Sequence, residues 1–235
     1  MVKEIDVCAI TRKTYDRIAA GYSQKIKELT SKTWVGKFEK HLADRFLSLI
    51  REYYKDDLEI LDIGCGYGKD TYYFSKKARV NAKGFDFSPG MLSEARKLYP
   101  DIYFVEGDMR DLGFLDIWFH GVWANGCIYH VRKKEVDRVL TEVVRVLRPG
   151  GIFSFNFKLG EGERLEKNPR SYGGKPRFYA YYNNSEMIGM LEQAGLDLIE
   201  LRSYPETIFA DKIMHVWARK SWRTEVGAWR SIITA

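Results

Sequence analysis

Two rhythms of apolar and polar positions divide the chain. Up to residue 55 the spacing is helical: one amphipathic segment opens at Thr14 and runs past Tyr22 toward Leu29. A second covers residues 37–54, with Phe38, Leu42, Phe46, Leu49 and Tyr53 on one face. From residue 58 short apolar runs alternate with helical stretches. Residues 58–63, 80–87, 102–106, 119–124 and 152–157 predict five strands. Helices are predicted over 69–78, over 88–98 with Ser88 as N-cap and Pro89 in the first position, and over a segment carrying Val136, Val139, Leu140, Val143, Val144 and Leu147 on one face. Arg148-Pro149-Gly150-Gly151 should stop that helix. An irregular Gly-, Pro- and Tyr-rich insert at about 159–183 follows, then a helix over 185–194 and two last strands at 196–203 and 213–218. Alternation of this kind predicts a doubly wound, mostly parallel α/β sheet.

The first strand ends in Asp62-Ile63-Gly64-Cys65-Gly66-Tyr67-Gly68. Glycines here let the backbone turn tightly and come close to a ligand. A helix starting after them points free N–H groups and a positive dipole end at the same place. The spacing is not that of a dinucleotide turn, whose last glycine would fall at Lys69. Asp62 would also oppose a pyrophosphate. A ligand without phosphate and with net positive charge removes that objection, and S-adenosylmethionine (SAM), with a sulfonium and an ammonium against one carboxylate, has that chemistry.

Two more acids close strands. Asp86 lies roughly 20 residues past the turn, where an acid accepts from ribose hydroxyls. Asp108 is placed to accept from the amine of an adenine, with Met109 packing on the ring. In sheets of this kind ligands bind outside the carboxyl ends of the strands, so three acids and a glycine turn in register form a constellation.

Composition narrows the class. The 235 residues, 45% hydrophobic and 30% charged, suit one globular α/β domain. We read it as a single domain over 1–235, with a helical cap (1–55), a core (56–219) holding the 159–183 insert, and a tail (220–235). No segment resembles a signal peptide or approaches the length of a membrane-spanning apolar run, and a cytoplasmic protein is expected. Its 3 cysteines are widely spaced and suggest neither disulfides nor zinc. No metal site is expected. The net charge of +6 concentrates in 1–55, 158–177 and 211–235, leaving an acidic core that suits a cationic cofactor and basic flanks that suit an anionic substrate or RNA.

The segments Ile60-Leu61-Asp62-Ile63-Gly64-Cys65-Gly66-Tyr67-Gly68, Gly84-Phe85-Asp86-Phe87-Ser88, Glu106-Gly107-Asp108-Met109, 119–131 and Val146-Leu147-Arg148-Pro149-Gly150-Gly151 resemble class I SAM-dependent methyltransferases, the broad group that includes quinone-biosynthesis C-methyltransferases. The resemblance implies a Rossmann-like seven-stranded sheet with an antiparallel last strand. It also implies that the turn from Gly64 to Gly68 holds the methionine part of SAM, Asp86 the ribose and Asp108 the adenine. The expected cofactor-binding set is Asp62, Gly64, Cys65, Gly66, Gly68, Asp86, Phe87, Asp108, Met109 and Asn125.

Methyl transfer is an in-line displacement, which needs alignment and exclusion of water, and a base for some nucleophiles. Near the end of the fourth strand stand Asn125, Tyr129 and His130, of which His130 suits a base by its ordinary pKa. Tyr22 is the second candidate catalytic residue. The helix from Thr14 to Tyr22 and the insert, with Tyr172, Phe178, Tyr179, Tyr181 and Tyr182, are expected to roof the substrate pocket. The favoured substrate is a small molecule with an O, N or C nucleophile. An RNA or protein substrate, or SAM binding without turnover, are the alternatives.

Overall fold

The computed structural model describes residues 6–31, 34–167, 174–203 and 212–222. Its elements are α1 (Val7–Ser31), α2 (Trp34–Tyr53), β1 (Leu58–Ile63), α3 (Lys69–Ser75), β2 (Val80–Asp86), α4 (Pro89–Leu98), β3 (Tyr103–Glu106), β4 (Phe119–Ala124), a 3-10 turn (Ile128–His130), α5 (Lys133–Val146), β5 (Leu147–Leu159), β6 (Glu163–Glu166), β7 (Arg177–Tyr182), α6 (Asn184–Gln193), β8 (Leu196–Ser203) and β9 (Ile213–Lys220).

β3, β2, β1, β4 and β5 lie side by side and parallel. The order reverses between β1 and β4, which opens a crevice at their carboxyl ends. Beyond β5 the sheet forks. Residues 152–158 pair antiparallel with β9, which pairs antiparallel with β8. At the other end of β5, Lys158 and Leu159 pair in parallel with Tyr181 and Tyr182 of β7, and β7 carries β6 antiparallel. The expected doubly wound sheet and its antiparallel last strand are present, with nine strands among the described residues rather than seven.

The two extra strands come from the insert, so that segment is not an irregular loop. Every residue of β7 is buried, which removes the polar alternation that would have marked it as a strand. Residues 168–173, Tyr172 among them, lie outside the described residues, as does the tail beyond 222. Arg148-Pro149-Gly150-Gly151 forms no separate turn: β5 starts directly at Leu147, and its pairing with β4 slips between Phe119 and Gly121.

Successive strand residues face opposite sides of a sheet, and the core divides accordingly. Ile60, Trp123 and Ile152 face α2, whose Leu42, Phe46, Leu49 and Ile50 are at most 1% exposed. Leu61, Val122 and Phe153 face the α5 side, where Val136, Val139, Leu140 and Val143 repeat at helical spacing. α1 instead crosses the carboxyl ends. Asp16 accepts from the Ser88 hydroxyl at 2.6 Å at the start of α4, while the Thr14 hydroxyl donates to Pro176 O at 2.6 Å and Thr11 Oγ1 accepts from Phe178 N at 3.1 Å.

Candidate active site

The glycine turn is built by backbone conformation. Gly64 and Gly66 have φ of 67° and 55°, in the left-handed region that side chains disfavour. A Cβ at Gly64 would stand 2.3 Å from that of Cys127, so the loop after β4 packs directly on the turn. A Cβ at Gly66 would meet nothing within 4 Å: here the backbone faces open space. Gly68 is the exception. It is the left-handed N-cap of α3, it does not line the cavity, and a Cβ there would strike Phe104 at 2.7 Å. Its requirement is packing against β3.

Asp86 fixes the turn from the neighbouring strand. Its Oδ2 accepts from Gly66 N and its Oδ1 from Ser88 N, each at 2.8 Å. Burial nevertheless pushes its pKa up to about 6, these amide bonds opposing the shift. Asp62, at the end of β1, accepts from the Thr71 hydroxyl at 2.6 Å. Burial raises its pKa well above the usual carboxylate range, and the nearby Asp70 charge adds to the rise.

These groups border a cavity of about 270 Å³ at the crevice. Asp62, Gly64, Cys65, Gly66, Asp86, Phe87, Asp108, Met109 and Asn125 all line it, as do Tyr22 and His130. Asp108 is engaged by Arg110, whose Nε lies 2.9 Å from Oδ1, and Arg110 also reaches Glu135 at 2.5 Å. That guanidinium holds the carboxyl below its ordinary pKa against burial. Asn125 donates to Asp70 at 3.3 Å and accepts from Asn156 at 2.6 Å. Asp70 also accepts from the Trp123 indole at 3.0 Å and pairs with Lys69 at 3.3 Å.

Across the cavity stands an aromatic wall. The Tyr15 hydroxyl is 2.9 Å from His130 Nε2, and His130 Nδ1 is 2.6 Å from Phe178 O. A carbonyl only accepts, so Nδ1 carries the proton and Nε2 accepts from Tyr15. Burial pulls the His130 pKa down to about 3, and the charges of Arg177 and Lys158 work the same way. His130 is therefore a neutral acceptor with little basicity. The ring of Tyr22 sits 6.1 Å from Tyr15 and 5.9 Å from Tyr67. Tyr179, from β7, packs on His130 at 4.9 Å.

α1 and the β6–β7 hairpin both reach this cavity, through Tyr15, Tyr22, Glu166, Arg177 and Tyr179. Tyr182 does not. It is 0% exposed and packs in the main core, 6.4 Å from Phe157, because its β-strand position points it away. Residues that patterning missed are Asp70, Lys158 and Arg177. An acid after a glycine turn and two basic residues in an apparent loop look solvated in sequence, and only the fold brings them into the cavity wall.

The lining has the chemistry that SAM requires. Asp62 and Asp86, both buried, and the partly buried Asp70 supply acceptors for a cationic, hydroxyl-bearing ligand. The Tyr67 hydroxyl is buried without a hydrogen-bond partner among the described residues, and its residue borders the cavity. The open face at Gly66 leaves room for close backbone approach. No group of three or more His, Cys, Asp or Glu among the described residues is arranged to hold a metal.

Residues 60–151 match a family described as "Methyltransferase domain". A curated methyltransferase GfsG of Streptomyces halstedii is 29% identical over 159 residues, covering 63% of this chain and 56% of that protein. A ubiquinone/menaquinone biosynthesis C-methyltransferase UbiE of Campylobacter jejuni is 27% identical over 200 residues, covering 71% of this chain and 81% of its own length. Among solved structures, Burkholderia thailandensis 1,6-didemethyltoxoflavin-N1-methyltransferase with bound 1,6-didemethyltoxoflavin and S-adenosylhomocysteine superposes with a TM-score of 0.68 at 19% identity, over 94% of this chain and 92% of that one. The glycine turn, the acids at the strand ends and these likenesses lead to one assignment: residues 60–151 are a methyltransferase domain, in a chain similar to class I SAM-dependent methyltransferases.

Proposed function

We propose that this protein transfers the methyl group of SAM to an O, N or C nucleophile of a small molecule. The observation that carries the reading is the convergence of Asp62, Asp86 and the open Gly66 backbone on one cavity whose opposite wall is aromatic. When bound, SAM supplies an electrophilic methyl on a sulfonium. Asp86 would take the ribose hydroxyls on lone pairs not used by Gly66 and Ser88. Asp62 and Asp70, with the amides of the glycine turn, would hold the methionine part. Asp108 and Met109 would border the adenine, and Phe87 and Cys65 would fill the space between.

The remaining residues position and shield. Tyr15, Tyr22 and Tyr129 exclude water from the methyl group and confine the acceptor, which is where most of the rate advantage of such a displacement arises. Tyr15 and His130 act as a fixed pair: the imidazole accepts the phenol proton and thereby orients the phenol oxygen. With its depressed pKa, His130 is a positioning group rather than a base.

The curated C-methyltransferases and the toxoflavin N-methyltransferase are named for small-molecule substrates, which supports the same class here. We also propose a cytoplasmic location, supported by the absence of any helix long and apolar enough to cross a membrane among the described residues. Titration calorimetry with SAM, S-adenosylhomocysteine and NAD tests the cofactor assignment. Binding of the first two and not of NAD is expected, and binding of NAD alone would refute it.

A further inference from the structure

On the hairpin side of the cavity three oxygens have no hydrogen-bond partner among the described residues. They belong to Glu166, Tyr129 and Tyr179, all of which line the cavity. Glu166, at the end of β6, accepts from Arg164 Nε at 2.8 Å and from the Tyr181 hydroxyl, and both bonds fall on Oε1. Its Oε2 makes none. The hydroxyls of Tyr129 and Tyr179 likewise make none, although Tyr179 is only 6% exposed. Among the described residues, the unpartnered side-chain oxygens sealed within the protein are those of Tyr67 and Tyr182, so the three named here are accessible. Ring contacts bring them into one corner: Tyr179 lies 5.8 Å from Tyr129 and 6.5 Å from Tyr181, the residue that holds Glu166.

Leaving a buried hydroxyl unpaired costs about 1–3 kcal/mol, and native structures rarely do so without water or a ligand to complete the site. The protonation states of this corner are set. Burial raises the pKa of both phenols, so each keeps its proton and can donate. Burial also pushes the Glu166 carboxyl up, but the bonds from Tyr181 and Arg164 outweigh it and hold the group below its ordinary value. The corner therefore offers two O–H donors and one ionised carboxylate oxygen. A hydroxyl group has the matching inventory, one hydrogen to give and two lone pairs to receive. An ether lacks the hydrogen, and a carboxylate would meet Glu166 as a like charge.

We propose, building on the methyltransferase reading, that this corner selects a methyl acceptor carrying a neutral hydroxyl group, whose hydrogen goes to Glu166 Oε2 and whose lone pairs take the hydrogens of Tyr129 and Tyr179. The hydroxyl is the handle that orients the acceptor. A lone pair engaged by a phenol is not available to attack the methyl group, so the nucleophilic atom lies elsewhere on the same molecule. Glu166, Tyr129 and Tyr179 are then specificity-determining residues, and the β6–β7 hairpin is what supplies two of them to the site.

Ligand-observed NMR titrations of phenol, anisole and toluene test this, each with the protein alone and saturated with S-adenosylhomocysteine. The probes share a ring and differ in carrying a hydroxyl, an ether oxygen or neither. Phenol is expected to bind at least about tenfold more tightly than anisole, as for a hydrogen bond to a charged group, and toluene no more tightly than anisole. Glu166→Met should weaken phenol about tenfold or more, and Tyr179→Phe should weaken it to a smaller extent. Both variants are expected to retain S-adenosylhomocysteine affinity, which also reports that they fold. Anisole or toluene binding as tightly as phenol, none of the three binding, or Glu166→Met binding phenol as the parent does would overturn the proposal. The wild-type probe series decides the matter even if a variant fails to fold. Absence of S-adenosylhomocysteine binding to the parent would instead strike the cofactor assignment, and the titrations without it keep the two results separate.

Discussion

The Tyr15 hydroxyl and His130 Nε2, 2.9 Å apart, join the N-terminal helix to the turn after β4 across the mouth of the cavity. Tyr15→Phe removes the donor and leaves Nε2 buried and unsatisfied. Turnover is expected to fall on the order of a hundredfold through misplacement, with a stability loss of about 1–3 kcal/mol. S-adenosylhomocysteine affinity should stay within a few-fold of the parent. Steady-state kinetics and calorimetry on the same preparation check this, and unchanged turnover would remove the pair from the reaction.

His130 itself should leave no mark on the pH profile near its ordinary value, since burial holds it neutral down to about 3. The kcat profile between pH 5 and 8 is expected to keep its shape in His130→Asn. An inflection near 6.5 that disappears in that variant would make His130 a base after all.

Asp86 provides a pH effect of opposite origin. Unfolded, the carboxyl ionises near its ordinary 3.8; folded, burial keeps it protonated up to about 6. Its contribution therefore favours the ligand-free fold at low pH and is lost as pH rises through about 6. Cofactor hydroxyls donate to the ionised form, so affinity should rise with pH and fall by up to about tenfold per unit below 6. Asp62 is also raised and faces the same cavity, so Asp86→Asn, in which the Asp86 part of the slope disappears, isolates the effect. Asp86→Ala should cost about 1.5–3 kcal/mol of cofactor affinity.

Tyr22 and Tyr182 separate the cavity from the core. Tyr182→Ala opens a hole in the main cluster and should destabilise by about 3–5 kcal/mol, as for other large aromatic deletions. Tyr22→Ala is expected to lower turnover with a small change in melting temperature. Denaturant unfolding and kinetics of both variants check the contrast, and equal stability losses would contradict it.

How much of this could be read from the chain follows from what each segment exposes to patterning. β1 with its glycine turn, β4, β8 and the Ser88–Pro89 start of α4 were legible because apolar runs closed by turn residues, caps and acids at strand ends are local properties. The hairpin was not. Gly160, Gly162 and Pro176 surround it with turn signals, and β7 is buried on both faces, so no alternation survives. Tyr182 was misjudged for the same reason: strand parity, invisible without the strand, decides that Tyr179 lines the cavity and Tyr182 the core. Lys158 lies at the fork of β5 and Arg177 at the start of β7, beside β6, tertiary placements that no local spacing announces.

Methyl transfer from SAM to a small molecule is tested most sharply by the fate of methyl-labelled SAM incubated with the protein and a cell extract separated into metabolites, RNA and protein. Label is expected in the metabolite fraction, dependent on Asp86 and insensitive to a chelator. Label appearing in RNA or protein, or no transfer by a protein that binds SAM, would contradict it.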